Sequence, residues 1–231
     1  MLSKTTLTIL LLVMAFATSA AELKPFTANY EVVKFDLRLG DIKVKLEPHE
    51  NQFIYSKQSK TRGLAALFRD EKVMEKSILQ PSEAGLRVLG YNYRLARGDN
   101  IREDSFRFDS PEKVNGVYKN HPFSLTVPPG TLDRSSIELA LMQDAGPDKH
   151  RLSYSVVEKN RLKTFDFQFK GEQTIDTPAG KFQCYDYKVI RSSGKRSTTL
   201  CLAPALDNLP IKITHNEKGT EFYMLLKSYQ Q

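Results

Sequence analysis

From Phe26 onward, apolar and polar residues alternate along most of the chain. This is the period-two pattern of half-buried antiparallel strands. FTANYEVVKF aligns Phe26, Ala28, Tyr30 and Val32 on one face, and DIKVKLEP sets Ile42, Val44 and Leu46 between charged residues. QFIYSKQS and KVMEKSIL read as weaker strands, separated by TRGLAALFRD, which fits either a short helix or a loop. LRVLGYNYRL aligns Leu89, Tyr91, Tyr93 and Leu95, and HPFSLTVPPG aligns Phe123, Leu125 and Val127. RLSYSVVE aligns Leu152, Tyr154 and Val156, and TFDFQF places Phe165, Phe167 and Phe169 on a single face. SFRFDS and VNGVYKN pair as a hairpin around Asp109 to Lys113, and LPIKITHNEKGTEFYMLLKSY gives two strands turning at Asn216 to Gly219.

The alternation breaks once for a clear helix. Ser135 and Glu138 have the S-x-x-E spacing of a capping box, IELALMQDA follows with good helix formers, and Gly146 and Pro147 end it. About a dozen short strands with one short α-helix predict a mostly-β fold. The expected form is a large curved antiparallel sheet, as a half-open or closed β-barrel, because open twisted sheets of that size curl. The helix would cover one mouth or the concave face. The segment from Asp133 to Pro147 is a candidate divider between two β halves, but the pattern reads as one domain.

Ahead of Phe26 the pattern differs. Lys4 precedes an apolar run from Leu7 to Phe16, about half the roughly 20 residues that span a bilayer, and small residues follow. Residues 1–20 therefore read as a cleavable signal peptide, cut after Ala20 or Ala21, and residues 21–231 as a single β-rich domain. The expected location is the periplasm of a Gram-negative bacterium. There is no cysteine near the cleavage site to carry a lipid anchor, and no later stretch is long and apolar enough to form a transmembrane segment.

Composition adds a moderate charge. Apolar residues make up 40% of the chain, enough for a sizeable core, and 34 basic against 27 acidic residues give a net charge of +7. Export argues against nucleic acid as a partner, and a basic surface suits anionic phospholipid or lipopolysaccharide headgroups, although an excess spread along the chain also serves solubility. KNRLK (Lys159 to Lys163) and GKR (Gly194 to Arg196) fall at predicted turns, as solvated ends or as contacts to an anionic membrane surface or glycan.

The two cysteines, Cys184 and Cys201, flank one predicted turn, and in an exported protein they read as a disulfide. With Arg191 to Gly194 as the loop, symmetric pairing sets Ile190 opposite Lys195, Tyr187 opposite Thr198, Tyr185 opposite Leu200 and Cys184 opposite Cys201. The bridge would then lie on the more polar face of the hairpin, away from Tyr187 and Leu200, stapling two strands. The spacing does not match the C-x-x-C of catalytic thiol pairs.

Other chemistry is sparse. His49, His121, His150 and His215 are scattered without zinc-ligand spacing, and EPHE (Glu47 to Glu50) reads as a solvated turn. There is no G-x-S-x-G, S-x-x-K or phosphate-cradling glycine loop. Asp133, Ser135 and Ser136 could be drawn as a triad with His121 or His150, but helix capping already explains them. Carboxylate pairs from Asp36, Asp41, Asp166 or Asp176 mean nothing without geometry. No catalytic, metal or cofactor residues are assigned. The inward aromatics Tyr91, Tyr93, Phe165, Phe167 and Phe169 either fill a core or line a cavity for an apolar ligand.

Several short motifs resemble the bacterial family called domain of unknown function 3108. They are F-x-A-x-Y at Phe26 to Tyr30, PPGTLDRSSIELALM with Gly130, Asp133 and Ser136, DTPAGKFQCYDYKV with Thr177, Pro178, Gly180 and Phe182, and LPIKI from Leu209 to Ile213. The resemblance covers essentially the whole chain after the leader. It implies a periplasmic, β-rich protein, and supplies no assigned activity or site. The expected function is non-enzymatic binding of an apolar or amphipathic envelope component, as a lipid carrier or chaperone. The alternative is a protein-interaction module in envelope assembly or maintenance.

Overall fold

A computed structural model of the chain describes residues 23–63, 70–82, 85–191 and 196–231. The leader reading of residues 1–20, most of the helix-or-loop segment after Arg62, and the turn at Ser192 to Gly194 lie outside the described residues.

One meander comprises β1 (Phe26–Lys34), β2 (Leu37–His49), β3 (Gln52–Thr61), β4 (Glu71–Ser82), β5 (Gly85–Arg97), β6 (Asn100–Ser110), β7 (Lys113–Tyr118) and β8 (His121–Thr126). After the short β9 (Leu132–Asp133) and helix α1 (Ile137–Asp144) comes a second, with β10 (Arg151–Glu158), β11 (Arg161–Thr177), β12 (Gly180–Ile190), β13 (Arg196–Ala203), β14 (Leu209–Glu217) and β15 (Thr220–Gln230). The two meanders join edge to edge through β1 and β15, giving a single 15-stranded sheet with β8 and β9 as its edges. Among the described residues, only the β9–β10 contact is parallel.

In a meander alternate turns fall at the same end, so the sheet has two distinct rims. One carries the turns at Phe35–Asp36, Gly98–Asp99, Lys119–Asn120, Lys159–Asn160 and Lys218–Gly219, and is called here the Phe35 rim. The other, the Pro178 rim, carries the turns at Glu50–Asn51, Pro111–Glu112, Pro178–Ala179 and Pro204 to Asn208.

Six of the ladders contain a register shift. Each bulge adds local twist, and together they curl the sheet around α1. The bulge between Val32 and Val33 turns Val33, not the expected Val32, into the core. The curl brings Val157 of β10 against Tyr91, Phe106, Val114 and Val127, yet no hydrogen-bonded ladder joins the two edges. The barrel is half-open.

Helix α1 fills the concave face. Ile137, Leu139, Ala140 and Leu141 are all buried, so the helix is apolar on most sides, as befits an element enclosed by sheet. Its start differs from the predicted capping box. Ser136 occupies the N-cap position without a side-chain cap bond, and the Asp133 carboxylate accepts the backbone N–H groups of Ser135 (2.6 Å) and Ser136 (2.9 Å). Ser135 and Glu138 are drawn instead to the surrounding strands. At the other end Asn208 donates to the carbonyls of Met142 (2.9 Å) and Ala145 (3.1 Å), satisfying acceptors the helix leaves open.

The cysteine pair is close, but in a different register. The β12–β13 ladder sets Tyr185 opposite Leu202, Asp186 opposite Cys201 and Tyr187 opposite Leu200. The two strands pair about a point one residue later than the symmetric reading, which moves every pair by two. A shift of two keeps each side chain on its predicted face, so the cysteines remain together as diagonal neighbours, with Cα atoms 5.4 Å apart and sulfurs at bonding distance. Their surroundings are not polar: Cys184 and Cys201 are both buried within the main hydrophobic cluster. The cause is the long β11–β12 hairpin. Shifted in register near Gly171, it folds over until the Ala179 N–H at its tip donates to the Leu226 carbonyl of β15 (3.3 Å), although three strands separate β11 from β15 in the sheet. Replacing both cysteines with alanine is expected to lower unfolding free energy by about 3 kcal/mol, read from urea denaturation. An unchanged midpoint, or a mass for the unreduced parent that is not two hydrogens short, would show that the bond is absent or without effect.

Candidate functional site

Between α1 and the inner face of the sheet lies a cavity of about 380 Å³. Most of the strand residues that line it lie in the half nearer the Phe35 rim: Ile42 on β2, Ser59 on β3, Val73 on β4, Phe165 and Phe167 on β11, Thr198 on β13, His215 on β14 and Met224 on β15, with Leu200 and Ile213 at mid-strand. The helix presents Ile137, Glu138 and Leu141 to it. Leu139, Met142 and Gln143 instead line a separate hollow of about 360 Å³ at the Pro178 rim. The helix thus divides the interior, and the cavity lies on its Phe35-rim side.

One wall is apolar and the other ionic. Glu138 pairs with Lys57 and accepts a hydrogen bond from Tyr55 Oη (3.1 Å). Glu75, buried, faces Arg134 (3.4 Å) and accepts from Ser135 Oγ (2.6 Å). Thr198 Oγ1 lies 2.8 Å from His215 Nδ1, and Arg191 donates to the same hydroxyl at 3.2 Å. Below this wall Ser77 donates to Asp133 Oδ1 (2.8 Å), while Asp133 Oδ2 is buried without a partner among the described residues.

These environments move the titrations in opposite directions. Burial pushes Glu75 up, but Arg134, Lys57 and the hydroxyls of Ser135 and Tyr91 outweigh it and hold its carboxyl below the usual range. Burial also raises Asp133, and hydrogen bonds from Ser136, Ser77 and Ser135 offset it only in part. Burial and the nearby Arg191 charge lower His215. Burial and Glu138 together raise the Tyr55 phenol. Among the described residues, no group of three or more His, Cys, Asp or Glu side chains gathers as a metal site.

Three of the five aromatics singled out from sequence, Tyr93, Phe165 and Phe167, line this cavity. Tyr91 lies beside it, hydrogen-bonded to Glu75 and stacked on Phe106 with ring centroids 5.2 Å apart in a satellite core. Phe169 packs instead against Tyr187 (5.5 Å) and Tyr185 (6.1 Å). The ionic wall was not anticipated. Its only sequence signal is that Lys57 and Glu75 occupy inward positions of two strands that read as weak.

A larger trough, about 740 Å³, lies across strands β15 and β1 to β5. Asn29, Lys43, Gln58, Met74 and Arg94 form one cross-strand row of it. Lys43, Gln58 and Met74 immediately neighbour Ile42, Ser59 and Val73 in sequence, so they point away from the interior.

Because His215 has a lowered pKa in the folded chain, its neutral form is favoured by folding. Its contribution is full above the ordinary imidazole value of about 6.5 and is lost as pH falls from there through the folded value. His215→Gln is therefore expected to flatten the decline in melting temperature between about pH 6.5 and 5. Parallel parent and variant curves would assign the decline to another group.

The fold has a counterpart among solved structures. A β-barrel-like protein of domain of unknown function DUF1849 from Brucella abortus matches at a TM-score of 0.58 and 8% identity, over 89% of this chain and 97% of the other. A Bacteroides fragilis protein with a YmcC-like fold matches more loosely, at a TM-score of 0.39 and 11% identity, over 89% of this chain and 95% of the other. At 8% identity the first likeness speaks to fold alone, and the second carries no argument. No curated protein matches the chain. The family described as "Protein of unknown function (DUF3108)" matches residues 26–226, nearly all of the curled sheet, and the chain belongs to that family.

Proposed function

We propose that this chain is a non-enzymatic periplasmic carrier that holds an amphipathic envelope component in the interior cavity. The observation that carries the reading is the two-sided lining. Phe165, Phe167, Leu200, Ile213 and Met224 offer an apolar wall, while Lys57, Arg134, Arg191 and His215 offer polar and cationic groups at its edge. A volume of about 380 Å³ falls within the range of roughly 300–1,000 Å³ usual for ligand pockets. The signal-like residues 1–20 and the cysteine pair support an oxidising, exported location.

A second reading, a protein-interaction module, is favoured by the free β8 edge of the sheet, where an extended segment of a partner could add a strand.

The carrier reading is tested by native mass spectrometry of protein purified without detergent, followed by titration with a dansyl-labelled fatty acid. The chain contains no tryptophan, so Leu200→Trp both fills the cavity and serves as a single reporter. The expected result is a lipid-sized adduct on the parent, and at least about tenfold weaker probe binding by the variant. An apoprotein mass together with no saturable probe binding would sink the carrier reading and send the search to the β8 edge.

A further inference from the structure

Exposed large apolar side chains are not spread evenly over this molecule. Phe35, Leu37, Ile101, Val117 and Leu162 each stand within two positions of a turn on the Phe35 rim, and Ile190 ends β12 at the same rim. The one other, Met74, is four residues into β4 from the same rim, and the Pro178 rim has none among the described residues. Scattered single exposures need no explanation, but confinement to one rim does.

Phe35 is the clearest case. It occupies a turn in which both central residues have positive φ, 51° for Phe35 and 58° for Asp36. That geometry favours Asn-Gly, and a phenylalanine there is strained while its ring stands 74% exposed. Leu37 follows at 61%, and Ile101 on the neighbouring β5–β6 turn is 56% exposed. Neither packing nor turn chemistry accounts for these residues.

The same rim is rich in cations. Lys34 and Lys119 lie over the rings of Phe35 and Tyr118, at 5.2 and 5.7 Å from the centroids. In the outer trough just behind the rim, Lys60 and Lys72 are directly opposed across β3 and β4, and neither forms an ion pair among the described residues. Like charges so placed destabilise a sheet, and the carboxylate nearest in the ladder, Asp41 opposite Lys60 on β2, is already held by Arg38 and Arg62. Apolar tips flanked by lysines and arginines match a headgroup–acyl boundary bearing phosphate.

We propose that the Phe35 rim docks on an anionic phospholipid bilayer, with Phe35, Leu37 and Ile101 entering the acyl boundary and the rim and trough lysines meeting lipid phosphates. The interior cavity lies on the same side of α1, so docking would set it towards the membrane. Docking does not require an occupied cavity, and this proposal and the carrier reading fail separately.

The test is vesicle flotation, using protein from cells expressing the full chain with its N-terminus read by mass spectrometry. The vesicles are phosphatidylethanolamine with phosphatidylglycerol at three to one, or phosphatidylcholine alone. The parent is expected to float with the anionic vesicles and to be released as salt rises. The double variant Phe35→Ser with Leu37→Ser should bind at least about tenfold less, with unchanged circular dichroism and probe binding. Lys60→Gln with Lys72→Gln should weaken binding and its salt dependence. The proposal is overturned if the parent stays in the aqueous phase with both vesicles, in which case the rim is left to a protein partner. Equal flotation by the rim variants, or equal binding to phosphatidylcholine, would also overturn it.

Discussion

The organisation of this protein depends on one enclosed element, the helix α1, held inside a sheet that would otherwise have nothing to curl around. Its apolar residues Leu139 and Leu141 are fully buried among strand side chains. Its polar groups are met at every level: Asp133 on the first amides, Glu138 on Lys57 and Tyr55, and Asn208 on the last carbonyls. Lys57 and Glu138 are each only partly exposed, so loss of one partner leaves a half-desolvated charge without its counterion. The pair's value to this fold is therefore positional: it fixes the height of the helix within the curl, and so divides the interior into two hollows.

That division gives the molecule polarity. On one side of α1 the cavity combines aromatic and ionic walls, and the adjoining rim exposes apolar tips among cations. On the other side the hollow is ringed by Leu23, Phe26, Leu139, Asp207 and the chain's last residue, and that rim shows no large apolar exposure among the described residues. A meander produces such an asymmetry readily. Alternate turns collect at the same end, so residue choices in turns far apart in sequence add up to one surface.

The burial of carboxylates near the helix start shows how narrowly such a core is balanced. Glu75 and Asp133 lie close together in the fold and respond to burial in the same sense, yet Glu75 is lowered because Arg134 and Lys57 face it, while Asp133, bound only by neutral donors, is raised. Hydroxyls and amides can satisfy a buried carboxylate's lone pairs, but they do not supply the charge that offsets desolvation.

The alternation of residues determined much on its own. It marked the strands because side chains on a pleated strand point to opposite faces, so a half-buried sheet writes a period of two into the sequence. It also placed Tyr93, Phe165 and Phe167 on faces that turn out to line the cavity, and it put the cysteines together across one hairpin. Tertiary structure decided the rest. The bulge that buries Val33 in place of Val32, and the pairing that moves the cysteine register by two, are set by how neighbouring strands fit and leave no mark on local periodicity. Ser135 and Glu138 had the spacing of a capping box, but stronger partners on β3 and β4 claimed both side chains. Lys57, Glu75, Arg134 and His215 form one wall only because the sheet curls, and proximity across 158 positions of chain, from Lys57 to His215, is a property of the closed surface and not of any segment.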